Sequence, residues 1–240
     1  MALVAIEGEA LHAGPEPPAD AASDQLLLGE SRWPPVVAVV VFGGITIAAR
    51  LSLPSESLTR LPWLIPALEA VLLVVLVTSD PSGIEERRRM RRVAIVLVGL
   101  LVAAAMWSTV LLISDLIRGV GVANDASELL AEGGVVWLGN NLAFALLYWL
   151  MDGGGPNARL RRRRPVDFAF TQHMSPELAP PGWRPVFLDY LHLGFTNATA
   201  FSPTDVMPLT HRAKYAMVVQ STVALAVVGL VVARAVNAFT

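Results

Sequence analysis

Residues 93–114 carry no charged side chain, and an apolar run of that length restricts what the chain can fold into more than any other feature. A hydrocarbon core about 30 Å thick is crossed by roughly 20 apolar residues rising about 1.5 Å each in a helix. Extended to Ile117, the run predicts a transmembrane helix with Asp115 and Arg118 at its far end, where charged tips reach water. Four further stretches come close to the same length: 33–53, 61–79, 129–151 and 213–239. With 54% of 240 residues hydrophobic and a mean hydropathy of +0.56, lipid is the expected solvent.

Charge placement then sets the topology. Arg87, Arg88, Arg89, Arg91 and Arg92 sit between the second and third stretches, and Arg159, Arg161, Arg162, Arg163 and Arg164 follow the fourth. Short cytoplasmic loops are enriched in Lys and Arg, so both clusters are expected inside, where they also offer contacts to acidic lipid. The N-terminus is then cytoplasmic, and five spans leave the C-terminus outside. Trp33, Trp63 and Arg50 suit interfacial anchoring. Residues 1–32, acidic and holding Pro15, Pro17 and Pro18, lack the basic start of a secretory signal and read as a disordered tail.

The net charge of -2 argues against a general nucleic-acid binder. The absence of cysteine removes disulfides, thiolate metal sites and a cysteine nucleophile. Neither a metal nor a cofactor is expected: His173, His192 and His211 form no tight ligand pair. Ser, Thr, His and Asp are scattered without the spacing of a nucleophilic centre, so no enzyme is expected either.

Residues 152–184 read as a cytoplasmic loop rich in Arg, Gly and Pro, begun where Gly153, Gly154, Gly155 and Pro156 stop the fourth helix. Residues 185–210 are too short and polar to cross the bilayer, yet their first half is amphipathic and passes into small and hydroxylated residues. They suggest a re-entrant segment. Irregular backbone at membrane depth is tolerated where protein or a water-filled cavity satisfies it. The competing reading is an interfacial helix and a surface loop.

Within this segment the pairs Asp189-Tyr190, Phe195-Thr196 and Asp205-Val206, then Thr210 with Arg212 and Lys214, resemble the bacterial membrane family catalogued as domain of unknown function 1345. The resemblance covers mainly residues 186–234. It departs from the family at Ala198, often a glycine there, in an extra residue before Thr210, and in the lack of a histidine near Tyr148-Trp149. The same stretch is faintly similar to the pore helix, filter and inner helix of tetrameric cation channels. A potassium filter presents stacked carbonyls from a Thr-Val-Gly-Tyr-Gly loop, whereas residues 198–205 hold no glycine and include Pro203. The arginine clusters also place the segment on the cytoplasmic side, opposite to such pore loops.

The candidate site residues follow from polarity within or beside spans. Glu69, in the middle of the second span, is a carboxylate facing a cavity or one paired with a neighbouring helix. Asn140 and Asn141 line a polar path or hydrogen-bond across helix contacts. Asp205, after Ser202-Pro203, attracts a cation or caps the helix beginning near Pro208, and Asp189 favours the positive end of a short helix. Thr196 and Thr199 complete the pore candidates. Arg212 and Lys214 are expected to snorkel at one end of the last span and Arg234 at the other. Asn197-Ala198-Thr199 matches a glycosylation sequon.

The expectation is therefore an all-α, polytopic bacterial inner-membrane protein with about five spans, one re-entrant element and, from the channel-like resemblance alone, a homo-oligomer. Its partners are the lipid bilayer and a small ion or solute. The competing class is a non-conducting scaffold that contacts partners or anionic lipid through its acidic tail and arginine loop. Polar residues converging on a water-filled cavity favour transport; a packed polar cluster favours the scaffold.

Overall fold

The computed structural model describes residues 31, 33–52, 64–78, 84–118, 126–160, 165–199 and 205–238. The acidic tail apart from Ser31, residues Arg161, Arg162, Arg163 and Arg164, the side chains of Arg87 and Arg88, and 200–204 of the expected re-entrant segment lie outside them. Four helices come first: α1 (Trp33–Ser52), α2 (Leu64–Thr78), α3 (Ile84–Arg118) and α4 (Ala126–Met151). A glycine turn leads to α5 (Pro156–Leu160), β1 (Phe168–Phe170) and α6 (Thr171–Met174). The chain continues through α7 (Phe187–Thr199) and β2 (Val206–Pro208) to α8 (His211–Ala238).

Among the described residues three helices are long and apolar enough to cross a membrane, α3, α4 and α8. The first two expected spans are represented by shorter apolar stretches, Trp33–Ala49 and Ile65–Thr78. At 15 residues, α2 rises about 22 Å, short of a hydrocarbon core of about 30 Å. The all-α, membrane-type architecture stands on these elements.

The centre of the bundle is α4, which packs against α1, α3, α7 and α8. Its second half shows why: Leu142, Ala143, Phe144, Ala145, Leu146, Tyr148, Trp149 and Leu150 are all buried, and a helix apolar on every side belongs inside. Helix α4 runs opposite to α3 and to α8. Gly133 near the start of α4 faces Val231 near the end of α8, while an Arg212 guanidinium nitrogen at the start of α8 lies 3.5 Å from the Met151 carbonyl at the end of α4. Arg91, at the start of α3, reaches to 3.4 Å from the space beside Gly155. Arg91, Arg159 and Arg212 therefore share one end of the bundle.

Glycine sets the closest helix approaches, as expected where backbones meet in a membrane-type bundle. A Cβ on Gly133 would stand 2.7 and 2.9 Å from the Val231 methyls, whereas one on Gly134 meets nothing within 4 Å. Valine is stiff at χ1 in a helix and yields little. Gly133→Ala is expected to destabilise the fold by about 1–3 kcal/mol. Gly134→Ala is expected to be neutral or to stabilise by up to about 1 kcal/mol through helix propensity. Reversible SDS unfolding in mixed micelles reads both; equal effects would contradict the tight α4–α8 contact.

The segment 152–184 departs from its reading as a plain loop. Beyond the turn, β1 pairs antiparallel with β2, Phe168 opposite Pro208 and Phe170 opposite Val206. Phe168, Phe170 and Tyr190 pack edge to face around Tyr148 and Trp183. The chain here is tied to the helices by buried carboxylates that local sequence patterns do not announce.

Candidate functional site

The short helix α7 starts at the end of the bundle that holds Arg159 and Arg212. Its first turn is closed by Asp189, whose carboxylate accepts the Val186 N–H at 2.7 Å and meets the positive end of the helix dipole. Burial pushes the Asp189 carboxyl above its ordinary range, with the Val186 N–H and the nearby His192 opposing. Next to it the Tyr190 hydroxyl donates to Asp152, the first residue after α4. Tyr190, Leu193, Gly194, Asn197 and Ala198 form the buried face of α7. Gly194 permits contact with α4: a Cβ there would stand 3.3 Å from the Asn141 carbonyl oxygen.

From that start α7 runs alongside α4 and α8 to the level of Ser221, about 15 Å into α8 at the helical rise. There it stops. The last four carbonyls of a helix lack intrahelical donors, and hydroxyls serve three carbonyl acceptors near this end. Thr199 Oγ1 donates to the Phe195 carbonyl at 2.9 Å and more weakly to that of Thr196 at 3.4 Å, while Ser221 Oγ shares its one proton between the Asn197 carbonyl at 3.1 Å and Asn197 Oδ1 at 3.0 Å. By Asp205 the chain is back beside the middle of α7. The Asp205 carboxylate lies 3.0 Å from His192 Nε2, and its carbonyl accepts the Thr171 N–H.

A polar seam joins α7, α4 and α8, with Gln220 at its centre. Its Oε1 accepts from the Tyr148 hydroxyl at 2.7 Å and from Asn197 Nδ2 at 2.8 Å. Its Nε2 donates to the Gly194 carbonyl at 2.9 Å and to Asn141 Oδ1 at 3.4 Å. Asn141 Nδ2 in turn donates to the Trp137 carbonyl. Asn140 faces the other way and donates to Thr109 on α3 at 2.8 Å. Both asparagines thus hold helices together.

At the base of the bundle lies a second polar group, absent from the sequence candidates. Asp152 and Asp167 are both 0% exposed. Asp152 Oδ1 accepts the Asp167 N–H at 2.6 Å and the Phe168 N–H at 3.3 Å. Asp167 is gripped bidentately by Arg212 at 2.6 Å to each oxygen and also accepts from Thr210 and the Gly153 N–H. Burial alone would raise the Asp167 carboxyl, but Arg212 and Thr210, with the Gly153 N–H, outweigh it and hold the group below its ordinary value. Arg159 donates to the Trp149 and Asp152 carbonyls and lies over the Tyr190 ring.

Several expectations are corrected by these contacts. Arg212 does not simply snorkel; it binds a buried carboxylate. The N-terminus of α8 is capped by Thr210, whose Oγ1 accepts the Ala213 N–H at 3.3 Å, and not by Asp205. Asn197 is 2% exposed with its amide donating to Met217 and Gln220, so the sequon side chain is occupied inside the fold. Glu69 is buried at 2% in α2 and faces Gly43 of α1. It belongs to a different part of the bundle from Asp205. Among the described residues no group of three or more His, Asp or Glu side chains could hold a metal ion.

The arrangement brings Thr196, Thr199, Asp189 and Asp205 onto one hairpin-like unit and leaves Glu69 and Asn140 apart from it. A cleft lies between α1, α2, α3 and α4, lined by Phe42, Thr46, Ile65, Leu101, Ala105 and Ser108 among others. It is predominantly apolar and includes none of the candidates. The signal for Asp152 and Asp167 was present only as carboxylates flanking a glycine turn, and their partner Arg212 is far along the chain. No family model, no curated protein and no solved structure matches this chain.

Proposed function

We propose that the chain is a five-span bacterial inner-membrane protein whose α7 hairpin is re-entrant and forms part of a passage for small ions or solutes between copies of the chain. The observation that carries this reading is the course of α7. A half-length helix runs in beside α4 and α8 and ends level with Ser221, and by Asp205 the chain is back beside His192, midway along that helix. The resemblance over residues 186–234 and the alternating directions of the long helices agree with it.

A chain reversal at membrane depth needs polar cover. Hydroxyls from Thr199 and Ser221 supply part of it. On α7, Leu188 and Phe195 are 57% and 52% exposed, the Phe195 ring meeting Trp137 of α4 edge to face. Further copies, or the water between them, would complete the cover there. The arginine end faces the cytoplasm on this reading, with the C-terminus outside.

The second reading is the non-conducting scaffold, and one observation favours it. The seam of Asn141, Tyr148, Asn197 and Gln220 is packed and hydrogen-bonded within one copy, and the cleft beside it is predominantly apolar. Any passage must therefore lie outside the interior of a single copy.

Flux through purified protein in sealed liposomes separates the two. The expected result is flux above empty vesicles that Asp205→Ala lowers several-fold with folding intact. Because Glu69 lies away from the hairpin, Glu69→Leu is expected to lower flux less than Asp205→Ala. Silence across common cations, anions and protons would replace the passage with the scaffold.

A further inference from the structure

Residues 215–233 of α8 carry no charge and rise about 28 Å, close to a hydrocarbon core of about 30 Å, so Lys214 and Arg234 mark its two boundaries. That fixes a depth for the base of the bundle. On α7, Asn197 is bonded to Met217, Gln220 and Ser221 of α8, and His192 lies about 7.5 Å nearer the base at the helical rise. His192 is therefore level with the start of α8, and Asp205, 3.0 Å from it, leads into β2 near the hydrocarbon boundary. Beyond β2 the chain passes through Thr210 directly into α8. β1 shares this depth, since the Thr171 N–H donates to the Asp205 carbonyl and the Leu209 N–H to the Asp167 carbonyl. Headgroups extend a membrane by about 5–8 Å on each side of its core, and the ribbon falls in that layer.

The two faces of this ribbon differ. Phe168, Phe170 and Val206 are buried, while Met207 and Leu209, of opposite parity to Val206, are each 54% exposed. From the Thr171 end the chain turns through α6, where Met174 is 46% exposed, to Leu178 at 83%. We propose that the β1–β2 ribbon and the α6 elbow form a collar embedded in the headgroup layer at the arginine end of the bundle, with Met174, Leu178, Met207 and Leu209 seated among the glycerols and upper acyl chains of phospholipid. Continuity chooses lipid over a protein partner: past Leu209 the exposed surface runs on into the face of α8 that meets the bilayer, where Tyr215 and Val218 are 69% and 62% exposed. Tyr215 stands at the boundary itself, the depth where amphipathic rings are enriched. The flanking charges, Glu177 and Asp205 against Arg184 and Lys214, are of both signs, so apolar transfer and not headgroup charge drives the contact. The collar requires only that α8 crosses the membrane and holds whether or not ions pass.

Because the chain has no cysteine, Leu178→Cys and Met207→Cys each place a single NBD dye on the full-length protein in phosphatidylcholine nanodiscs. Both labels are expected to be quenched several-fold more by a lipid bearing a doxyl group near its headgroup than by iodide. Replacing part of the phosphatidylcholine with phosphatidylglycerol is expected to leave that ratio unchanged. Val218→Cys, on the exposed face of α8, is expected to respond to a doxyl group deeper in the acyl chain; without that response α8 is not in lipid and the collar falls with it. Iodide quenching of both base labels with no response to doxyl lipid would place the patch in water and overturn the collar. Protection from both quenchers would overturn it too, by showing that protein, a second copy or another partner, covers the patch. A ratio that rises with phosphatidylglycerol would overturn apolar transfer as its driving force.

Discussion

Arg212→Met is expected to destabilise the protein by roughly 3 kcal/mol, because it strips the strongest partner from a carboxylate that is 0% exposed. The figure sits at the low end for breaking a buried pair for two reasons. The arginine side chain is itself 54% exposed, and Asp167 retains Thr210 and the Gly153 N–H. Methionine keeps much of the packing volume, so the loss reports the interaction and not a cavity. Adding Asp167→Asn should recover part of the stability, since a neutral amide tolerates the site better than an unpaired charge. Reversible SDS unfolding of the two single variants and the double variant measures the coupling; no recovery would mean that Arg212 acts through packing.

The same pair fixes a sign for pH. Asp167 has a folded pKa below its unfolded value near 3.9. Its contribution is fully present above about pH 4 and is lost as pH falls toward the folded value. In Arg212→Met the buried carboxylate has lost its counter-charge and gains a proton readily on acidification. The deficit relative to wild type should therefore shrink between neutral pH and about pH 4. A deficit that grows on acidification would contradict the assignment.

What was legible in the sequence had a period or a length. Residues 93–114 announced α3 because an uncharged run of that size has few alternatives, and Gly153 to Pro156 marked the end of α4. The amphipathic first half of residues 185–210 marked α7. The base of the bundle was not legible. Asp152 meets Asp167 and Arg212 meets Asp167 across 15 and 45 residues, and nothing at either position forms a local pattern. Asp205 read as a helix cap because Pro208 looked like a helix start. With α8 beginning at His211, Thr210 takes that role. Gln220 was visible as a polar residue in an apolar helix, but its four partners come from two other helices.

Gln220→Leu is the sharpest test of what holds the half-helix in place. Interhelical hydrogen bonds in membranes average about 0.6 kcal/mol and reach about 1.7. Gln220 makes four, to Tyr148, Asn197, Gly194 and Asn141, and leucine leaves their atoms buried beside it. The expected loss is about 2–3 kcal/mol, with amide hydrogen exchange rising chiefly over α7. Thr222→Val, whose exposed hydroxyl donates only to the Val218 carbonyl, should stay within about 0.5 kcal/mol. If Gln220→Leu shows the full loss with α7 loosened, the half-helix is held by its own chain, and other copies add only a lining. If the loss is no larger than that of Thr222→Val while α7 stays protected, contacts beyond one copy must hold it. That outcome would strengthen the oligomeric reading at the expense of the seam.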